Sequence, residues 1–362
     1  VGQTALRGEL LRLAVDPRFR VLGVFDGALH DALPVRLEAA GVAHRALVTG
    51  EGELQTVGPW LADPAPAQPE AGPDVDPDDL SDAALADTAN RLAADMKAAL
   101  ERGDPKGGGV LPGEADWWPG RGGGDLRDRV EAMAALEARA PGSAVFWILP
   151  REVAPDALWS HLRRIRQVIV PANHVETGAA TDARAPVLLR HADGDVLTEL
   201  LSALSPPQVA QFLGPAAGLL FRAPSHPDAK GGVLWRVGAS DAPAPPGPLT
   251  LDGAQMDRIA ATHHAGSRER VGQYLRDVVP GCAALDRAAL ADRVRAYEEA
   301  GDRMGLETER GHMKWAYLMA VTEGGIDAPE TWDALHETEA SPDARIDDVL
   351  AALDGLWDGA EG

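Results

Sequence analysis

Two short apolar runs, Arg20 to Phe25 (RVLGVF) and Ala144 to Leu149 (AVFWIL), do most to limit what this chain can fold into. Neither has helical spacing, and β-branched and aromatic residues dominate both, so each reads as a buried strand. Helical signals alternate with them. Leu6, Leu10 and Leu13 recur at helical spacing before Pro17, and a helix opens near Pro34 and closes at Gly41, where a left-handed cap suits glycine. His44 to Val48 reads as another strand. The chain then turns at Gly50-Glu51-Gly52 before the apolar Pro59-Trp60-Leu61. After Leu149 a helix begins near Pro155 with Leu158, Leu162 and Ile165 on one face. Strands follow at Val168 to Val170, Val187 to Arg190, Leu219 to Arg222 and Val233 to Val237, with short helices at Asp193 to Leu204 and Pro207 to Leu213.

The texture changes twice. From Asp63 to Arg139 there are 17 acidic residues against 8 basic, with Pro and Gly clusters, which marks an insertion. Two helical stretches sit inside it, Asp79 to Glu101 and Leu126 to Ala140; the glycine-rich parts carry too large an ordering entropy to fold unaided. Trp117 and Trp118 fall in one of those parts, and two adjacent large rings there need a surface to bury against, the chain's own or a partner's. The second change is the proline-rich Ala242 to Pro248 (APAPPGP), a stiff connector. Beyond it all signals are helical. Met256, Ile259, His263, Val271, Tyr274 and Val278 line one face of a long helix ending at Pro280-Gly281, a second helix carries Leu290, Val294, Tyr297 and Met304, and Thr308 caps a third.

The expected architecture is therefore an α/β or α+β lobe, a mixed sheet flanked by helices, over residues 1–241, interrupted by the acidic insertion at 63–143. A linker at 242–248 leads to an all-α lobe with an acidic tail at 249–362.

Charge limits the partners. With 34 Lys+Arg against 56 Asp+Glu, the net charge of -22 repels nucleic-acid backbones and anionic lipid, so neither is expected as a partner. The lone Cys282 rules out a disulfide framework within the chain and multi-cysteine metal sites, and fits a reducing cytoplasm. No apolar run approaches the roughly 20 residues needed to cross a bilayer, and Val1 to Glu9 lacks a signal pattern, so a cytoplasmic protein is expected.

Chemistry-bearing patterns are sparse. Asp26 ends a strand, where open sheets bind ligands, but Asp-Gly after a strand is first of all a turn. Gly107-Gly108-Gly109 and Gly122-Gly123-Gly124 lack the following Lys-Ser/Thr and the strand-to-helix context of a phosphate loop. No Gly-x-Ser-x-Gly occurs, and Cys282 reads as a small buried filler. His263 and His264 are adjacent rather than four apart; His263 reads as packed and His264 as solvated. His336-Glu337 begins a zinc motif that Ala340 does not complete. No catalytic, metal or cofactor-binding residues are expected. Arg163, Arg164 and Arg166, with Arg151 and His161 nearby, make a local basic face on an acidic chain.

Several stretches together resemble a known family. VLGVFDGALHDALP (Val21 to Pro34), VGPWL (Val57 to Leu61), FWIL with LWSHLRRIRQV (Phe146 to Leu149, Leu158 to Val168) and PVLLRHADGDVLTELLSALSPPQVAQFLGP (Pro186 to Pro215) resemble the type VI secretion effector chaperone, or effector adaptor, family. Residues 20–62 and 144–222 carry the likeness, 250–355 more loosely, including GLETERGHMKWAYLMAVTEGG (Gly305 to Gly325). Where the family has two aromatic residues before the Asp of its middle segment, this chain has Arg190-His191-Ala192-Asp193. The resemblance implies a non-enzymatic adaptor that binds a cognate secreted effector and helps load it onto the spike protein VgrG, with no cofactor. The candidate partner-binding residues are Trp117, Trp118, Arg163, Arg164, Arg166, Arg190 and Asp193. Two other readings compete: an α/β enzyme using Asp26 and His30 as an acid/base pair, and an acidic nucleic-acid mimic built from the insertion and tail.

Overall fold

A computed structural model describes residues 2–48, 57–65, 125–175, 180, 183–227, 233–328 and 340–358. The expected helices at Asp79 to Glu101, the glycine clusters, Trp117, Trp118 and His336 lie outside these residues.

In chain order the sheet lobe contains helix α1 (Gly2–Ala14), strand β1 (Phe19–Asp26), helix α2 (Leu33–Ala39), strands β2 (Ala43–Ala46) and β3 (Pro59–Asp63), helix α3 (Leu126–Arg139) and strand β4 (Ala144–Pro150). Helix α4 (Pro155–Arg164), strands β5 (Gln167–Pro171) and β6 (Arg184–Leu188), helices α5 (Gly194–Ala203) and α6 (Pro206–Leu213), and strands β7 (Gly218–Arg222) and β8 (Leu234–Gly238) complete it. The helical part has α7 (Gly253–Val278), α8 (Pro280–Ala283), α9 (Arg287–Arg303), α10 (Glu309–Val321) and α11 (Pro342–Asp358).

Six strands form one sheet in the order β2-β3-β1-β4-β7-β8, and β5 and β6 form a separate pair. Where a mixed sheet was expected, every strand pairing is antiparallel. The reason lies in β3. β1, α2 and β2 make a crossover between two strands of like direction, as their signals imply, but the slot between them is filled by Pro59–Asp63 running the other way. That segment is short and opens on proline, so it does not announce a strand, and proline fits there as a first residue. Arg184–Leu188 is likewise the strand where Val187 to Arg190 was expected, in register with β5 from Gln167↔Leu188 to Pro171↔Arg184.

The central strands lack polar alternation because both faces are covered. Leu22, Val24, Val145, Trp147, Leu149, Leu219 and Phe221 point to one side, where α4, α5 and α6 supply Leu158, Leu162, Leu197 and Phe212. Val21, Phe25, Phe146, Ile148 and Leu220 point to the other, against Leu6, Leu10 and Leu13 of α1, Leu37 of α2 and Met133 of α3. Hydrophobic burial on both sides holds a short strand more firmly than its ladder alone. Gly23 is required there, since a Cβ would crowd the Phe25 ring and the Met133 methyl.

The segment after the proline-rich stretch is pinned to the sheet lobe. Ile169 donates its N–H to Leu249 O (2.9 Å) and accepts from Leu251 N (2.8 Å), while Gln208 and Gln211 donate to Thr250 O and Gly247 O. α7 then opens on a capping box between Asp252 and Gln255. This 26-residue helix spans about 39 Å. Met256 and Ile259 pack on the sheet-lobe core, whereas Val271 and Leu275 enter a third core with Leu290 and Val294 of α9, Trp315 and Leu318 of α10, and Ile346 of α11. The expected stripe holds at its start and drifts later: Leu275 is buried, while Tyr274 and Val278 are exposed. Thr308 caps α10 by accepting from Gly311 N, as its position suggested.

Candidate partner-binding cleft

A cavity of about 590 Å³ lies between the sheet lobe and the helical part. Its floor is the face of β7 and β8 that carries Phe221, Trp235 and Val237; Leu201 of α5 and Val209 of α6 form one wall, and Thr262 and Ala265 of α7 the other. Charged groups stay at the rim, with Glu269 on α7 and Arg287 at the start of α9. Such a site covers apolar surface while its edge stays solvated.

The walls are fixed by a polar network. Ser225 donates its hydroxyl to Asp195 Oδ2 (2.7 Å) and its amide to Oδ1 (3.1 Å), tying the loop after β7 to the first turn of α5. Trp235 Nε1 donates to the carbonyl of His226 (3.1 Å), which sets the indole at the cavity floor. One oxygen of Glu199 faces His226 Nε2 (3.3 Å) and His263 Nδ1 (2.9 Å), so loop, α5 and α7 meet at a single carboxylate. Burial pushes the Glu199 carboxyl up, but the two imidazoles outweigh it and hold it below the usual range. Gly266 gives the His226 ring its space; any Cβ there would overlap it. Gln255 Nε2 (2.9 Å) and an Arg258 guanidinium nitrogen (3.2 Å) both donate to Ala203 O, closing the end of α5 against α7.

His263 is therefore not the packed histidine of the expected stripe. It is exposed and bonded to Glu199, because the apolar face of α7 has rotated past it. His264 is exposed, 3.4 Å from Glu298. Cys282 is buried in the third core.

Arg190 and Asp193 meet at the turn before α5. Arg190 pairs with Asp26 (2.7 Å) and stands 3.4 Å from Asp193, whose side chain caps α5 by accepting from the amides of Asp195 and Val196. Burial pushes the Asp193 carboxyl up, opposed first by the Val196 amide and then by Arg190. Asp26 also accepts from Ala28 N (3.0 Å), the expected turn bond. His30 Nε2 instead faces Ser143 Oγ at 2.7 Å, and burial pushes its imidazole down against the pull of Asp26. The two side chains of the acid/base alternative thus take separate partners. Next to Arg190, His191 is wholly enclosed, its Nδ1 3.3 Å from Leu189 O and its Nε2 without a hydrogen-bond partner among the described residues.

On α4 the basic face is smaller than its sequence implies. Arg45 and Arg163 bracket the Trp159 ring at 3.7 and 4.4 Å from its centroid, Arg164 is exposed, and Arg166 donates to the Arg163 carbonyl. His161 turns inward. It lies one residue from Leu162 and three from Leu158, so it belongs to the apolar stripe; its Nε2 is 2.8 Å from Phe212 O, and burial drives its imidazole down. That spacing was readable in the sequence. No comparable signal marked Trp235, Val237 or Glu199, because the cavity they share is made by elements far apart in the chain.

The candidate partner residues do not converge. Arg163 and Arg164 sit at the end of α4, Arg166 in the turn between α4 and β5, and Arg190 and Asp193 at the turn before α5, while the cavity is lined by other side chains. Among the described residues, no three His, Cys, Asp or Glu side chains are placed to hold a metal ion, and no helix is long and apolar enough to cross a membrane. Neither protein-family models, nor curated proteins, nor solved structures include a match to this chain.

Proposed function

We propose that this protein is a non-enzymatic adaptor that holds a segment of another protein in the cleft between its sheet lobe and its helical part. Following the resemblance of its middle segment, the partner is a secreted toxic effector of a type VI secretion system, handed on to the spike protein VgrG. The observation that carries the reading is the cleft itself: about 590 Å³, with an apolar floor of Phe221, Trp235 and Val237, walls in which Leu201 and Val209 alternate with Thr198, Ser202 and Thr262, and lining residues from both parts of the molecule. Such a surface takes up apolar side chains of a partner and lets go when other contacts offer more, since binding shifts populations only by differential affinity. The ionisable groups nearest a strand end, Asp26 and His30, are engaged in a turn and with Ser143.

Co-expression with the products of neighbouring genes tests this. The expected result is that one effector co-purifies and gains solubility, and that Ala265→Arg, which fills the cleft from α7, abolishes the complex with the thermal midpoint unchanged within a few degrees. An effector that stays equally soluble without the chain, or a complex indifferent to Ala265→Arg, refutes the proposal.

A further inference from the structure

The two edges of the six-stranded sheet are treated differently. On β2, Leu47 N bonds to Pro59 O, so the alternation of an antiparallel ladder turns the carbonyl of Ala46 outward. Trp159 Nε1 of α4 donates to it (3.1 Å), which blocks that edge at Ala46. On β8, Ala223 N bonds to Val233 O and Ala239 N to Ala217 O, so residues 233, 235, 237 and 239 face β7. The amides and carbonyls of Leu234, Arg236 and Gly238 then point away from the sheet, and among the described residues no hydrogen bond reaches them. Exposed edges are ordinarily blocked, because outward-facing donor–acceptor pairs along a strand are a template for another strand.

This open edge borders the cavity. Trp235 and Val237 place their side chains in its floor, while the Arg236 side chain between them turns to the opposite face, where Glu9 of α1 holds its guanidinium (2.8 Å). The cavity continues past Ala265, Glu269 and Arg287 into a groove also lined by Arg268, Arg276 and Arg295, four arginines to one glutamate on a chain of net charge -22. Arg268, Arg287 and Arg295 have carboxylates nearby; Arg276 has none within ion-pair distance among the described residues.

We propose that β8 accepts an extended segment of the partner protein as a seventh strand, with alternate apolar side chains entering the cavity and an acidic end lying against Arg276 and Arg287. The backbone pairs supply binding, the cavity selects side chains, and the basic groove fixes direction. The inference rests on the adaptor reading for the identity of the partner, and on the geometry of β8 for the mode of binding.

The test uses the full chain and synthetic peptides of about ten residues, the length of a long strand, in which Val alternates with Thr before two Asp. Peptides with the alternation scrambled, or with Lys for Asp, serve as controls. The expected result is that only the alternating acidic peptide binds, and that it slows hydrogen exchange at the amides of Leu234, Arg236 and Gly238. Arg236→Ala keeps the outward amide and should bind within about threefold, having lost only an exposed ion pair. Arg236→Pro removes that amide without touching the ladder to β7 and should bind at least tenfold more weakly. Exchange on the unaltered chain decides the matter should Arg236→Pro fail to fold. Absent peptide binding, protection elsewhere, equal binding by the two variants, or protection arising from dimerisation without peptide overturns the proposal. An effector that co-purifies while β8 stays unprotected removes this inference and leaves the adaptor reading; peptide binding at β8 with no co-purifying effector does the reverse.

Discussion

Replacing His191 by Leu should remove a defined part of the protein's sensitivity to acid. His191 is enclosed between β6 and α5, and burial drives its imidazole down to about 4, helped by the charges of His161 and Arg166 and opposed by the Leu189 carbonyl and Asp26. Its unfolded value is about 6.5. The unfolded chain therefore takes up this proton first as pH falls, and the folded state loses stability from about pH 6.5 down to about pH 4. At about 1.4 kcal/mol per pH unit the loss is on the order of 3 kcal/mol by pH 4. Leu is close in volume and cannot titrate. Its fixed cost, including the lost bond to Leu189 O, is the same at every pH and cancels when each protein is compared with itself. His30 and His161 are also pushed down by burial, and Asp63 and Glu137 pushed up, but both proteins share these groups. Urea unfolding at pH 7 and pH 4 is the assay, with the unaltered chain losing about 3 kcal/mol more than His191→Leu between the two. Equal losses would show that the imidazole reaches water and is protonated in the folded state, contrary to its enclosure.

Trp147→Ala, at the centre of the sheet, should cost about 3–5 kcal/mol in urea unfolding by opening a cavity among Phe212, Leu158 and Leu219. Two glycine substitutions should differ in sign. Gly194→Ala forces a Cβ onto the Arg222 carbonyl oxygen and should lower stability by about 2–3 kcal/mol, whereas Gly8→Ala, in open space on α1, should raise it by about 0.5–1 kcal/mol. A double-mutant cycle with Asp26→Asn and Arg190→Ala should give a coupling of only about 0.5 kcal/mol, because the Arg190 side chain is 53% exposed. A coupling several times larger would show a shielded pair.

Much of the fold was legible because it rests on local signals. The run RVLGVF became β1, AVFWIL became β4, Leu6, Leu10 and Leu13 became the buried stripe of α1, and Thr308 caps α10. These follow from periodicity, cap chemistry and the need to bury apolar side chains, which act over a few residues. β3 was not legible, since Pro59–Asp63 becomes a strand only by fitting between β1 and β2. The expected face of α7 holds at Met256 and Ile259 on the sheet lobe and at Val271 in the third core but fails at His263, Tyr274 and Val278, because two different surfaces decide its two ends.

The candidate site divides in the same way. Sequence alone set the charge, the absence of a readable catalytic motif, the turn at Asp26 and the stripe of Leu158, Leu162 and Ile165, while His161 reads there as part of the basic face. Only the tertiary structure decided that Trp235 and Val237 floor a cavity, that Glu199 joins His226 to His263, and that Trp159 caps the Ala46 carbonyl on β2 while no hydrogen bond among the described residues reaches the outward groups of β8. Those facts depend on which elements come together across long stretches of chain, and no residue's own chemistry specifies its distant neighbours.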